Sequence, residues 1–173
     1  MPAKRFHGVR IAVARDAAFS FIYRDNIRFL EHLGAEIIYF SPINDEKTPD
    51  GINGLMLFGG YPELFAEKLS ENRSMMQSIK EKIKRGLPII AECGGFMYLH
   101  DTLAIDDKHT YPMVGVIPGK AFPTAKLQRF GYVRLYAKEN NLLCNKNEEL
   151  LAHEFHYWAV SYTHLTLPTK LEV

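Results

Sequence analysis

At 173 residues, 47% hydrophobic and 24% charged, the chain has the length and composition of one soluble globular domain with its own core. A net charge of +1 gives no general attraction to nucleic acid or acidic lipid, so neither is expected as a partner. No apolar run approaches the ~20 residues of a membrane helix, and the opening MPAKRFHGVR lacks the apolar stretch of a secretory signal. A cytoplasmic protein is therefore expected, with Cys93 and Cys144 as reduced thiols.

Val9–Ala14 (VRIAVA) reads as a first buried strand. Asp16 to Leu33 carries helical spacing, with Phe19, Ile22, Tyr23, Phe29, Leu30 and Leu33 on roughly one face, and Gly34 stands where a helix ends. Glu36–Phe40 (EIIYF) is a second strand, closed by Ser41-Pro42, and Pro49-Asp50-Gly51 supplies turn chemistry. Gly54–Phe58 (GLMLF) is a third strand and runs directly into Gly59-Gly60-Tyr61-Pro62-Glu63. Pro62 suits the first turn of a helix containing Leu64, Phe65 and Leu69. Ser74–Arg85 reads as a further helix, with Met75, Met76, Ile79 and Ile83 as its core stripe, and Gly86 stops it.

Leu87–Leu99 (LPIIAECGGFMYL) organises the rest. Ile89–Ala91 forms a short strand opened by Pro88, Cys93 falls on a sharp turn, and Phe96, Met97 and Leu99 resume with helical spacing. A helix N-terminus favours thiolate, Gly94 and Gly95 permit close backbone approach, and the N–H after Cys93 can face an oxyanion. The alternative is a small buried cysteine with no reactivity.

Alternating strands and helices over the first hundred residues imply an α/β fold with a mostly parallel sheet. Ligands of such sheets gather beyond the carboxyl ends of the strands, where Gly59-Gly60 and Cys93 both fall. The second half changes character: Tyr111–Val116, Phe130–Ala137 and His153–Tyr157 read as strands without long helices between them. Gly131–Ala137 alternates as a half-exposed antiparallel strand does. The tail, 161–173, has no helical period; it is either an added strand or foreign or truncated sequence, and it receives no function.

A reactive thiol needs a base and an acyl-transfer site needs a proton donor. Of the seven histidines, His7, His32, His100, His109 and His164 lie in charged or loop-like surroundings and are expected at the solvated surface. His153 and His156, in HEFHYW, stand apart; three residues apart on a strand, they face opposite sides, so one alone can face Cys93. No CxxC and no His/Cys cluster has metal-ligand spacing, so no metal site is expected.

LFGGYPE, AECGGFMYL, LQRFGY and HEFHYW resemble the glutaminase domain of the cobyrinate a,c-diamide synthase family, which belongs to the class I (triad-type) glutamine amidotransferases. RIAVARDAAFSF and FSPINDEKTPDGINGLMLFGGYPELF follow the same pattern, so the resemblance runs from about Arg10 to about His156. It implies a flavodoxin-like fold over 9–160, with helices on both faces of a mostly parallel central sheet and an antiparallel extension. It implies that Cys93 attacks glutamine to form a thioester and that His156 protonates the departing ammonia and then activates water. Gly60 and Gly94 would form the oxyanion hole, and Arg129 would clamp the α-carboxylate. Glu92 would either help bind substrate or cap the turn. Many class I glutaminases carry Glu two residues after the catalytic histidine; here Trp158 stands there, and what orients His156 is open, Glu154 being one candidate.

The resemblance implies no cofactor for the glutaminase itself. The family's N-terminal ligase domain uses ATP and Mg²⁺ to amidate a corrinoid precursor, and its GxxxxGK[ST] phosphate-binding loop has no counterpart in this chain. The expected partners are therefore glutamine and a separate ATP-dependent ligase domain or subunit, in cobalamin biosynthesis. Alternatives are the glutaminase of cobyric acid synthase, of a nickel-tetrapyrrole diamide synthase or of peptidoglycan-precursor amidation. A non-catalytic α/β binding module is a further one.

Overall fold

The computed structural model describes residues 5–161 and the backbone of 169–171. Strands β1 (Arg10–Ala14), β2 (Glu36–Phe40), β3 (Gly54–Leu57) and β4 (Ile89–Ala91) form a parallel sheet in the order β2-β1-β3-β4. Its strands are apolar on both sides because both faces are covered. Ala12, Ala14, Leu55 and Leu57 pack with Leu69 of α2 (Ala66–Glu71), Met75, Met76 and Ile79 of α3 (Arg73–Lys84) and Met97 of α4 (Gly94–Tyr98). Val13 and Phe58 pack on the opposite face with Ile27 of α1 (Arg24–His32). This is a flavodoxin-like α/β fold, with the switch in strand order between β1 and β3.

Two helices end as their glycines lead one to expect. After α1, the Gly34 and Ala35 N–H groups donate to Glu31 and Leu30 carbonyls, with Gly34 at φ 101°. After α3, Gly86 and Leu87 donate to Ile83 and Lys82, with Gly86 at φ 88°. Both are Schellman closures, which need the left-handed conformation that glycine adopts without strain. Asn72 starts α3: its side-chain oxygen accepts from Met75 N–H, and its amide donates to the carbonyls of Pro42 and Asp45.

The helix expected from Asp16 to Leu33 is confined to its second half. The Asp16 carboxylate accepts hydrogen bonds from Ala18 and Phe19 N–H, Ile43 N–H and the Ser41 hydroxyl. Four donors from two loops hold 16–19 in a turn that competes successfully with helix. Phe19 still reaches the core at 0% exposed, but Phe29 points outward at 62% exposed, so the expected stripe is not one face.

Beyond α4 the chain builds two further sheets. β5 (His100–Ala104), β6 (Thr110–Pro112), β7 (Ile117–Pro123) and β10 (Trp158–Val160) lie in the order β10-β7-β5-β6, with β5 and β7 parallel. β8 (Arg129–Ala137) pairs antiparallel with β9 (Glu149–His156) and with β11 (Thr169–Leu171). The expected strand Tyr111–Val116 stops at Pro112, because Met113, Val114, Gly115 and Val116 N–H donate to Asp101, Tyr98, His100 and Leu99 carbonyls, wrapping this segment around the α4–β5 junction. Strands β5 and β7 have no clear alternation and were not expected. The expected strand His153–Tyr157 ends at His156; the chain bends at Tyr157 and enters another sheet as β10. Of the tail, 162–168 and 172–173 lie outside the described residues, as does His164.

His100 corrects another expectation. It is not at the surface but 0% exposed, with Nδ1 2.9 Å from the Phe96 carbonyl oxygen. Burial holds its pKa below 6.5, against the opposing pull of the Phe96 hydrogen bond and the Asp101 charge.

Candidate active site

Cys93 lies between β4 and α4 with φ 48° and ψ −114°, a conformation that a residue with a Cβ adopts only under strain. The surrounding backbone holds it there. Glu92 N–H donates to Leu57 O at 2.9 Å, Gly95 N–H to Phe58 O at 3.0 Å and Met97 N–H to Cys93 O at 3.0 Å. This is the geometry of a nucleophile elbow, and the side chain it presents is exposed. α4 is only five residues long, so its dipole is weak.

The end of β3 comes up against this elbow. A Cβ on Gly59 would sit 3.4 Å from Cys93 Cβ and 3.7 Å from its Sγ. A Cβ on Gly94 would meet Pro62 Cδ at 2.7 Å and the backbone nitrogen of Gly60 at 3.3 Å. The backbones of Gly60 and Gly94 are therefore neighbours beside the thiol. Neither glycine's N–H donates to a protein acceptor among the described residues. Two free N–H groups near an exposed thiol can stabilise a negatively charged oxygen.

The loop after β1 closes a third side, with Phe21 N–H donating to Gly59 O at 3.1 Å and Tyr61 N–H to Ala18 O at 3.0 Å. The exposed rings of Phe21 and Tyr61, 5.9 Å apart, rim the crevice. Sequence reasoning placed Phe21 in a helix and missed this contact; no local pattern encodes it. Burial raises the pKa of the nearby Glu63 carboxyl, partly offset by its own N–H. The side chain of Glu92 is exposed and makes no hydrogen bond among the described residues, so it does not cap the turn.

A second group of expected residues assembles on the β8–β9 sheet. Arg129 stands directly opposite His156, and Gly131 opposite Glu154. Cross-strand partners and residues two apart share a face, so Arg129, Glu154 and His156 lie on one side of this sheet. His153 lies on the other side, exposed, with its ring edge-on to Phe130 and Tyr132. His156 Nδ1 is 2.6 Å from the carbonyl oxygen of Trp158. Glu154 makes no hydrogen bond to His156, and its Oε2 is buried with no partner among the described residues. The role of the Trp158 carbonyl was not visible in the sequence, because a backbone oxygen carries no residue signature. Arg129 is exposed and forms no ion pair among the described residues.

No hydrogen bond joins Cys93 to His156 among the described residues. Among the described residues no group of three or more His, Cys, Asp or Glu side chains is placed to hold a metal ion. None of the described helices is long and apolar enough to cross a membrane.

The sequence profile of the CobB/CobQ-like glutamine amidotransferase domain matches residues 10–170. The chain belongs to this family. A cobyrinate a,c-diamide synthase of Caldanaerobacter subterraneus subsp. tengcongensis is 48% identical over 149 residues, covering 86% of this chain and 33% of that protein. One from Listeria monocytogenes serotype 4b is 42% identical over 168 residues, covering 97% of this chain and 36% of that protein. The chain thus spans about a third of the length of these curated relatives. Among solved structures, a glutamine amidotransferase is similar with TM-score 0.58 and 16% identity, covering 91% of this chain and 75% of that one. The structure of PurLQS from Thermotoga maritima gives TM-score 0.57 and 19% identity, covering 87% and 67%. These two likenesses support the fold. The chain is a glutamine amidotransferase domain of the CobB/CobQ-like type.

Proposed function

We propose that residues 9–160 form a glutaminase that releases ammonia from glutamine through a Cys93 thioester. His156 Nε2 takes the Cys93 thiol proton as Sγ attacks the side-chain amide carbon, and the amide oxygen becomes an oxyanion facing the N–H groups of Gly60 and Gly94. His156 Nε2 gives a proton to the departing nitrogen, leaving the thioester and ammonia. It then takes a proton from water, whose oxygen attacks the thioester carbon; glutamate leaves and the thiol is restored. Arg129 meets the α-carboxylate as a bidentate partner. Glu92, exposed beside the elbow, is a further candidate to contact substrate.

The observation that carries this reading is the exposed Cys93 in a strained elbow beside the two free N–H groups. The reading requires His156 Nε2 to come within hydrogen-bond reach of Cys93 Sγ, a contact of the kind that tightens when substrate or a partner domain binds. The ammonia would pass to an ATP- and Mg²⁺-dependent ligase domain that amidates the a- and c-carboxylates of cobyrinate, in the cytoplasm. That assignment follows the names and greater length of the relatives.

Diazo-oxo-norleucine, an electrophilic glutamine analogue, tests the nucleophile. One label on Cys93 is expected, and Cys93→Ala should lose glutamine-dependent amidation in the assembled enzyme while keeping amidation from free ammonia. A label on Cys144, or none in the presence of the ligase partner, overturns the reading.

A further inference from the structure

Glu154 is the least explained polar group near the proposed site. Its Oε2 is buried and has no hydrogen-bond partner among the described residues, and an unpaired buried carboxylate oxygen is costly unless a ligand completes it. Glu154 lines a cleft of about 250 Å³ together with Gln128, Arg129 and Gly131. Its cross-strand partner is Gly131, which carries no side chain, and a Cβ built there meets nothing within 4 Å, so the cleft is open on the β8 side. A cation and an unpaired anion thus share one cleft, a pattern complementary to a small zwitterion.

We propose that Glu154 binds the α-ammonium group of the substrate glutamine while Arg129 holds its α-carboxylate, so that the pair selects a free amino acid. The inference rests on the glutaminase reading, in which His156 works at the amide end. Spacing supports it. Glu154 is two residues from His156 on the same strand face, about 6.6–6.8 Å along the strand. The α-nitrogen of glutamine lies four bonds, each about 1.5 Å, from the carbon that Cys93 attacks. One substrate can therefore reach from the His156 position to Glu154. Arg129, opposite His156 and diagonal to Glu154, is within reach of the neighbouring carboxylate.

Glutaramate, which is glutamine without its α-amino group, provides the test, assayed in the chain together with its ATP-dependent partner. The wild type should prefer glutamine over glutaramate in kcat/KM by roughly 10- to 100-fold, the loss expected for an unmade charged hydrogen bond. The isosteric Glu154→Gln should raise KM for glutamine by roughly that factor, hold kcat within about threefold, and shrink the glutamine-to-glutaramate preference to about threefold or less. Should Glu154→Gln fail to fold, Glu154→Asp, which keeps the charge but draws it back by one methylene, serves instead; it should raise KM for glutamine and shrink the glutamine-to-glutaramate preference while leaving kcat within about threefold. An unchanged preference in Glu154→Gln, a loss of kcat at constant KM, or wild-type use of glutaramate as readily as glutamine overturns the proposal. If the wild type releases no ammonia from glutamine at all, the glutaminase reading fails first, which separates the two.

Discussion

The imidazole Nδ1 of His156 sits 2.6 Å from the carbonyl oxygen of Trp158. A carbonyl only accepts, so in neutral His156 this nitrogen carries the hydrogen and Nε2 keeps its lone pair. On the proposed mechanism this backbone oxygen sets the tautomer of His156, with Trp158 standing where the resemblance leads one to look for a carboxylate. Tyr157 fixes this oxygen in place: its bend carries the chain from β9 into β10, and its carbonyl accepts from the N–H and hydroxyl of Thr124.

The first prediction concerns that tautomer. Long-range ¹⁵N–¹H correlation spectra of the Cys93→Ala chain with the His156 ring neutral should show its proton on Nδ1. A proton on Nε2, or an even mixture of the two forms, would contradict the hydrogen bond as read.

Strain at Cys93 gives a second. Alanine keeps the Cβ that makes φ 48° unfavourable, and glycine removes it. Cys93→Gly should be more stable than Cys93→Ala by about 1–2 kcal/mol, the reverse of the usual order in ordered structure. Urea denaturation of the two variants decides it; equal stability would mean the elbow relaxes.

Gly60 offers a third. A Cβ there would lie 2.0 Å from the Ala18 carbonyl oxygen, which already accepts from Tyr61 N–H at 3.0 Å. These are backbone atoms, so Gly60→Ala must push the β1 loop away from the crevice. A loss of about 1–3 kcal/mol is expected from such overpacking. On the proposed mechanism, kcat falls with it, because the donor aimed at the oxyanion moves. A variant as stable and active as the wild type would rule out the tight contact.

His100 makes stability depend on pH. Its pKa lies below 6.5 in the folded chain, chiefly because burial disfavours the charged ring. Above about pH 6.5 both states are neutral there and His100 adds no slope. As pH falls through that value the unfolded chain takes up a proton that the folded chain refuses, so stability declines. The decline is complete once pH is below the folded pKa. Urea denaturation from about pH 8 down to pH 5 should show this slope, and His100→Gln should flatten it. An unchanged slope in the variant would place the titrating group elsewhere.

The sequence by itself determined the parallel half of the molecule and the place of its elbow. Ala12–Ala14, Leu55–Leu57 and Ile89–Ala91 are short apolar runs of strand length, and Gly34 and Gly86 stop the helices between them. Those signals are local, a few residues of periodicity or a required backbone conformation, so they can be read along the chain. Tertiary structure decided the rest. The carboxylate of Asp16 gathers donors from Ser41 and Ile43, 25 and 27 residues away, and so unwinds a helix that periodicity favours. His100 is buried by strands that pair across long intervals, and the Trp158 carbonyl reaches His156 only because the chain changes sheets at Tyr157. Glu154, whose Oε2 has no hydrogen-bond partner among the described residues, stands across the strand from a glycine. Contacts of this kind depend on which distant segments meet, and pairing energy between distant segments leaves no mark on the residues of either one alone.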